Sequence, residues 1–109
     1  MWQKARALCV EIYRVSGSGR FARDFGLRDQ IQRAAVSVMS NVAEGFERSS
    51  HAEFARFLTI AQASAAEVRS QLYIAHDLDY LDAPATQRLT QACMDIRSDL
   101  IALRSSLRS

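Results

Sequence analysis

Ser50-His51-Ala52-Glu53-Phe54-Ala55-Arg56-Phe57-Leu58-Thr59-Ile60-Ala61-Gln62-Ala63-Ser64-Ala65-Ala66-Glu67-Val68-Arg69-Ser70-Gln71-Leu72-Tyr73-Ile74-Ala75-His76-Asp77-Leu78 is the stretch that decides the fold. It holds no glycine and no proline, the two residues that most disfavour a helix interior. Phe54, Leu58, Ala61, Ala65, Val68, Leu72 and Ala75 recur at alternating steps of four and three, the period of an amphipathic helix and not of a strand. Ser50 and Glu53 have capping-box spacing: the hydroxyl can accept from the Glu53 amide while the Glu53 carboxylate reaches back. A helix over 51–78 follows, roughly 40 Å long at 1.5 Å per residue.

Working outward, the same period appears three more times. Upstream, Ile31, Ala35, Val38, Val42 and Phe46 predict a helix over 25–48 that opens between Asp24 and Leu27 and ends before Ser49 and Ser50. Further upstream, Ala5, Leu8, Cys9, Ile12 and Val15 predict a helix over 2–16, with Gly17-Ser18-Gly19 as the connector that ends it. Downstream, Asp77 to Asp82 breaks the chain; Asp82 suits an N-cap and Pro84 the first turn beyond it. Leu89, Cys93, Ile96, Leu100, Leu103 and Leu107 then form an a/d seam on a helix over 83–107. Three short links between four long helices make sequential neighbours antiparallel. The expected fold is all-α, an antiparallel up-and-down four-helix bundle, one domain over 1–109, with helix content above about 70% against a usual third.

Composition narrows the function. The net charge is +2, from 14 basic and 12 acidic side chains, too balanced to imply a polyanion partner by itself. Lys4 is the only lysine among the basic residues. No run approaches the roughly 20 apolar residues of a membrane span, and the amphipathic N-terminus lacks the apolar core of a signal peptide. Cys9 and Cys93 read as reduced thiols. The expectation is a cytoplasmic protein with no membrane partner.

The helices over 25–48 and 51–78 are rich in small residues, among them Ala34, Ser40 and Ala43 in one and Ala63 and Ala66 in the other. Small or apolar positions cover more than one stripe of the first. A second packing partner is expected there, and another copy of the chain is the simplest supplier.

These helices also carry a resemblance. Phe25 to Val38 contains Arg33-Ala34-Ala35-Val36-Ser37, followed after three residues by Asn41-Val42-Ala43-Glu44-Gly45 and then by Glu53-Phe54-Ala55-Arg56-Phe57-Leu58. Ala66-Glu67 and Leu78-Asp79-Tyr80-Leu81 extend the match over most of the chain. The sequence resembles the four-helix-bundle proteins encoded in intervening sequences of bacterial 23S ribosomal RNA genes, a group that includes the accessory variability protein of diversity-generating retroelements. The family usually has proline where this chain has Met39, and a second basic residue where it has Gln32; a weaker helix kink and less charge on that face are expected. The resemblance implies a homo-oligomeric ring, typically of five copies, no enzymatic activity, no cofactor, and a suggested role with RNA or DNA beside a protein partner.

Candidate sites are few. His51, His76, Cys9 and Cys93 are not paired at helical metal-ligand spacing, and both cysteines lie on apolar stripes, where cysteine acts as a small hydrophobe. No histidine is tied to a serine or cysteine motif of nucleophilic catalysis, and Gly17-Ser18-Gly19 follows a helix where a phosphate loop follows a strand. No catalytic, cofactor or metal residue is expected. Arg33, Ser37, Asn41 and Glu44 form a polar line, read as a structural network or subunit interface because buried polar groups need partners. Arg20, Arg23, Arg28 and Arg33, interleaved with Phe21 and Phe25, form the candidate nucleic-acid contact, since guanidinium groups and aromatic rings hold phosphates and stack bases.

Overall fold

A computed structural model describes residues 1–107. Five helices follow in order: α1 (Trp2–Ser16), α2 (Gly19–Arg23), α3 (Phe25–Phe46), α4 (His51–Asp77) and α5 (Ala83–Ser106). Helix content is 87%, above the expected threshold, with no strand among the described residues. The long helices form an elongated bundle of 47 × 22 × 18 Å. α1 and α4 each pack against both α3 and α5, so α1 and α4 occupy opposite corners. Antiparallel pairing is visible in the cross-links: Gln71 donates to Gln30 at 3.2 Å and Ser37 shares a hydrogen bond with Ser64 at 2.7 Å between α3 and α4. Lys4–Asp99 at 2.8 Å and Glu11–Arg88 at 3.0 Å do the same between α1 and α5.

The periodic residues form the core. Ala5, Leu8, Cys9 and Ile12 of α1, Ile31, Ala35, Val38 and Val42 of α3, Leu58 to Ala75 of the α4 stripe, and Leu89, Cys93, Ile96 and Leu100 of α5 are buried. At roughly 1.5–3 kcal/mol for each fully buried large aliphatic side chain, this shared interior is the dominant favourable contribution. Helix starts follow local chemistry. Asp24, Ser50 and Asp82 each accept from the backbone amide three residues on, at 3.1, 3.1 and 2.9 Å.

Several expectations need correction. The connector after α1 is not a plain loop: Gly19 takes a left-handed φ of 61° and opens the short helix α2. Its cause is Phe21, a large apolar side chain with no exposed surface, which the turn carries into the bundle end. Arg20 and Arg23 therefore belong to α2, and Asp24 caps α3 directly. The capping box is half-formed, since Glu53 pairs with Arg56 at 3.4 Å. Phe46 is not core but 57% exposed, because α3 ends there; its ring lies 4.9 Å from that of Phe54. The helices over 25–48, 51–78 and 83–107 each stop one or two residues early. α3 runs unbroken through Met39, and Gln32 donates to Ser16 at 2.9 Å, tying α3 to α1. The broad apolar face of α3 is largely consumed inside the chain, against α1, α2 and α4.

Candidate functional site

Two polar regions were expected from the sequence, and the fold divides both. The first is the bundle end formed by α2, the start of α3 and the link from α4 to α5. Here α4 terminates with the Asp79 amide donating to the His76 carbonyl at 2.9 Å and the Tyr80 amide to the Ala75 carbonyl at 2.8 Å, with Asp79 left-handed at φ 61°. This Schellman arrangement satisfies the last carbonyls of the helix. It also aims Tyr80 back at α2, where its ring stacks on Phe21 at 5.3 Å. The Tyr80 hydroxyl donates to Asp24 Oδ2 at 2.9 Å while Asp24 Oδ1 caps α3. That hydrogen bond, followed by burial, raises the phenol above its ordinary pKa.

Arg20 sits across this joint. Its Nη2 donates to the Leu78 carbonyl at 2.6 Å, and its guanidinium lies 5.5 Å from the centre of the Tyr80 ring. Arg28 donates to the Ala22 carbonyl at 3.0 Å and to Asp29 at 3.1 Å, and covers the Phe25 ring at 4.7 Å. Two of the four candidate arginines thus brace this end of the bundle. Arg23 is exposed and forms no ion pair among the described residues. With Arg20, Phe25 and Tyr80 it lines an open groove of about 970 Å³. Asp24, Asp77 and Asp79 line the same groove. The patch is therefore amphoteric and not basic. Asp77 and Asp79 were missed as site residues because they arrive from some 50 positions away; the only signal was the acidic break they form in the sequence. Arg33 is not in this groove at all.

Arg33 instead borders a recess of about 420 Å³ between α3 and α4, with Gln30, Ser37, Ser64 and Glu67. Within the expected polar line, Asn41 Nδ2 donates to the Ser37 carbonyl at 2.8 Å and to its hydroxyl at 3.0 Å, and Ser37 continues to Ser64. Glu44 leaves the network and accepts from Arg48 at 2.6 Å on the surface. Two further residues of this segment act by size. Ala34 is buried where α3 meets its neighbours, and a Cβ on Gly45 would lie 2.9 Å from the Phe54 ring.

Ala34, Ser37, Asn41 and Gly45 of this run thus serve helix packing, and a profile of the 23S rRNA-intervening sequence proteins matches residues 1–102. The chain belongs to that family. A crystal structure of an S23 ribosomal protein family member of unknown function from Bacteroides thetaiotaomicron superposes with a TM-score of 0.87 at 23% identity, covering 94% of this chain and 96% of that one. At that identity the likeness speaks for the fold alone. No curated protein matches the chain. In this member of the 23S rRNA-intervening sequence family, the thiols sit in the core. Burial raises both, and Cys93 is pushed up to about 12. His51 and His76 lie at opposite ends of α4, 25 positions apart. No helix among the described residues is long and apolar enough to cross a membrane.

Proposed function

We propose that this family member is a non-enzymatic, self-assembling interaction scaffold of the cytoplasm, built as a homo-oligomeric ring. The family resemblance favours five copies. The observation that carries the reading is on the outside of α4, where Ile60, Ile74 and the C-cap residue Leu78 are 36%, 45% and 44% exposed along one helix face. Exposed apolar side chains aligned on one face of a helix are what a contact with another protein surface would cover. The side chains that could have carried chemistry have structural work: Ser37 bridges α3 to α4 through Ser64, Asn41 bonds to Ser37 within α3, and the Cys93 thiol is buried and held protonated. Multi-angle light scattering at micromolar concentration is the test. Several times 12.2 kDa is expected, and a clean 12.2 kDa species would end the proposal.

A second reading is weak, sequence-tolerant RNA or DNA binding beside a protein partner. It draws support from exposed Arg23 next to Phe25, whose ring is 64% exposed. The three aspartates of the groove oppose phosphate, so contact through one copy is weak and must be repeated around a ring. Gel shifts with single-stranded and structured RNA at low and moderate salt test it, because phosphate contacts release counterions and weaken as salt rises. Loss of binding in Arg20→Ala/Arg23→Ala/Arg28→Ala is expected; retained binding would move the site elsewhere.

A further inference from the structure

The end of the bundle opposite the Tyr80 joint carries a charged cleft of a different composition. α4 spans 27 residues, about 40 Å. It runs from the groove that Asp77 and Asp79 line to a cleft of about 450 Å³ between its own first turns and the last turn of α5. The charged side chains lining this cleft are His51, Arg56 and Arg104, and among the described residues no carboxylate lines it. The other charged recesses are mixed. The groove at the far end has three aspartates beside two arginines, the recess between α3 and α4 sets Glu67 beside Arg33, and a cleft between α1 and α5 sets Glu11 and Asp95 beside Lys4 and Arg88. The positive end of α4 and the negative end of α5 meet here, so the helix dipoles largely offset one another and the side chains set the sign.

The two arginines are held in place by contacts that leave their charge available. Arg104 has no carboxylate partner among the described residues. Its Nη1 donates to Thr59 Oγ1 at 2.9 Å, and Thr59 donates in turn to the Ala55 carbonyl at 3.0 Å. A guanidinium has several more N–H donors than this one bond uses. Arg56 lies 4.7 Å from the centre of the Phe57 ring, which orients it. Its ion pair with Glu53 is long, at 3.4 Å, and exposed, so water screens it. Arg48 covers the same ring at 4.7 Å but is paired with Glu44 at 2.6 Å and does not line the cleft. Ala52, Ala55 and Leu107 complete the wall as an apolar surface.

We propose that this cleft binds a phosphate dianion, taken either from free phosphate or from the phosphomonoester of a small metabolite. Planar guanidinium forks match pairs of phosphate oxygens. A phosphomonoester carries about −1.5 to −2 charges at pH 7, which two arginines neutralise, whereas each diester phosphate of a nucleic-acid backbone carries one charge. The cleft volume falls within the roughly 300–1,000 Å³ of small-molecule sites. A phosphate group leaves part of that space, and the alanine and leucine wall can cover a small organic body attached to it. The site is separate from the RNA contact considered above, which belongs to Arg20, Arg23 and Arg28 at the other end of the bundle, so each reading stands or falls alone.

Isothermal titration calorimetry at low ionic strength and pH 8 tests the assignment, with inorganic phosphate, ribose 5-phosphate and dimethyl phosphate as probes. Saturable binding of inorganic phosphate to the wild-type chain is expected, with dimethyl phosphate at least about tenfold weaker because it lacks the second charge. Tighter binding of ribose 5-phosphate would identify the source as a small monoester, and equal binding would identify it as free phosphate. Arg56→Gln and Arg104→Gln should each weaken phosphate binding by about tenfold or more, while Arg6→Gln on α1 should leave it unchanged. Ala52→Glu separates binding from folding. Position 52 is exposed in the first turn of α4, where a carboxylate favours the helix, yet it lines the cleft one turn from Arg56. This variant should keep or raise the thermal midpoint and abolish phosphate binding. Absence of binding to wild type at millimolar phosphate would overturn the proposal. So would equal affinity for dimethyl phosphate, or unchanged phosphate affinity in Arg104→Gln or in Ala52→Glu.

Discussion

Replacing Gly45 with alanine sets two known effects against each other, and the structure decides the winner. Gly45 lies in the last turn of α3, where alanine is favoured over glycine by up to about 1 kcal/mol. Its φ is not in the left-handed region, so the backbone itself accepts alanine. The new Cβ would however lie 2.9 and 3.1 Å from two carbons of the Phe54 ring and 3.3 Å from Phe57 Cβ. All three are inside the roughly 3.5–4.0 Å at which carbon atoms attract best. The Phe54 ring is restrained by Phe46, 4.9 Å away, and Phe57 Cβ moves only with the α4 backbone. Relief requires the first turns of α4 to retreat, and overpacking of this kind costs about 1–3 kcal/mol. The expected net effect of Gly45→Ala is a loss of about 1 kcal/mol, or about 4 °C in Tm for a domain of this size. Gly26→Ala is the control. At position 26 the nearest atom to a new Cβ is Asp24 Oδ1 at 3.9 Å, so the variant should gain roughly 0.5 kcal/mol through the unfolded state. Chemical denaturation followed by circular dichroism, at one protein concentration because assembly adds to stability, measures both. If Gly45→Ala matched or exceeded Gly26→Ala in stability, the close approach of α3 and α4 would not be as described.

Asp79→Gly should stabilise by roughly 0.5 to 1 kcal/mol, since a left-handed φ of 61° penalises any side chain and Asp79 makes no side-chain hydrogen bond there; a thermal melt that falls would contradict it. Asn41→Ala should cost about 1 kcal/mol through its two bonds to Ser37, whereas Glu44→Ala removes one exposed pair worth about 0.3–0.5 kcal/mol, and equal losses in denaturant titrations would count against this division. Alkaline stability should depend on Cys93: its thiol ionises near 9.0 when unfolded but only at about 12 when folded, so between those values the unfolded chain binds fewer protons and stability falls as pH rises, by up to about 1.4 kcal/mol per unit. Cys93→Ala should flatten that slope in denaturation midpoints measured from pH 8 to 11, and an unchanged slope would assign it to other groups.

Much of this architecture was legible before folding was considered. The α4 stripe from Phe54 to Ala75, the Asp82 cap before Pro84 and the seam from Leu89 to Leu100 are local statements. Each depends on residues within one or two turns, and a helix with one apolar face has to bury it. The antiparallel order followed from the shortness of the links.

What needed the tertiary structure was every relation between distant segments. The arginines from Arg20 to Arg33 look like one basic patch because they are neighbours in the chain. Folding sends Arg33 to another recess, binds Arg20 and Arg28 to backbone carbonyls, and brings Asp77 and Asp79 into the remaining groove. The line from Arg33 to Glu44 has the period of one helix face, yet only Ser37 bonds across the interface, with Asn41 attached to it from the same helix, because α4 passes close at Ser64 while Glu44 reaches only Arg48. The apolar width of α3 suggested an outer partner, but α1, α2 and α4 of the same chain cover it. An uncovered apolar face lies on α4. Periodicity tells which residues of a helix avoid water; only the arrangement of its neighbours tells how many sides have been supplied with cover.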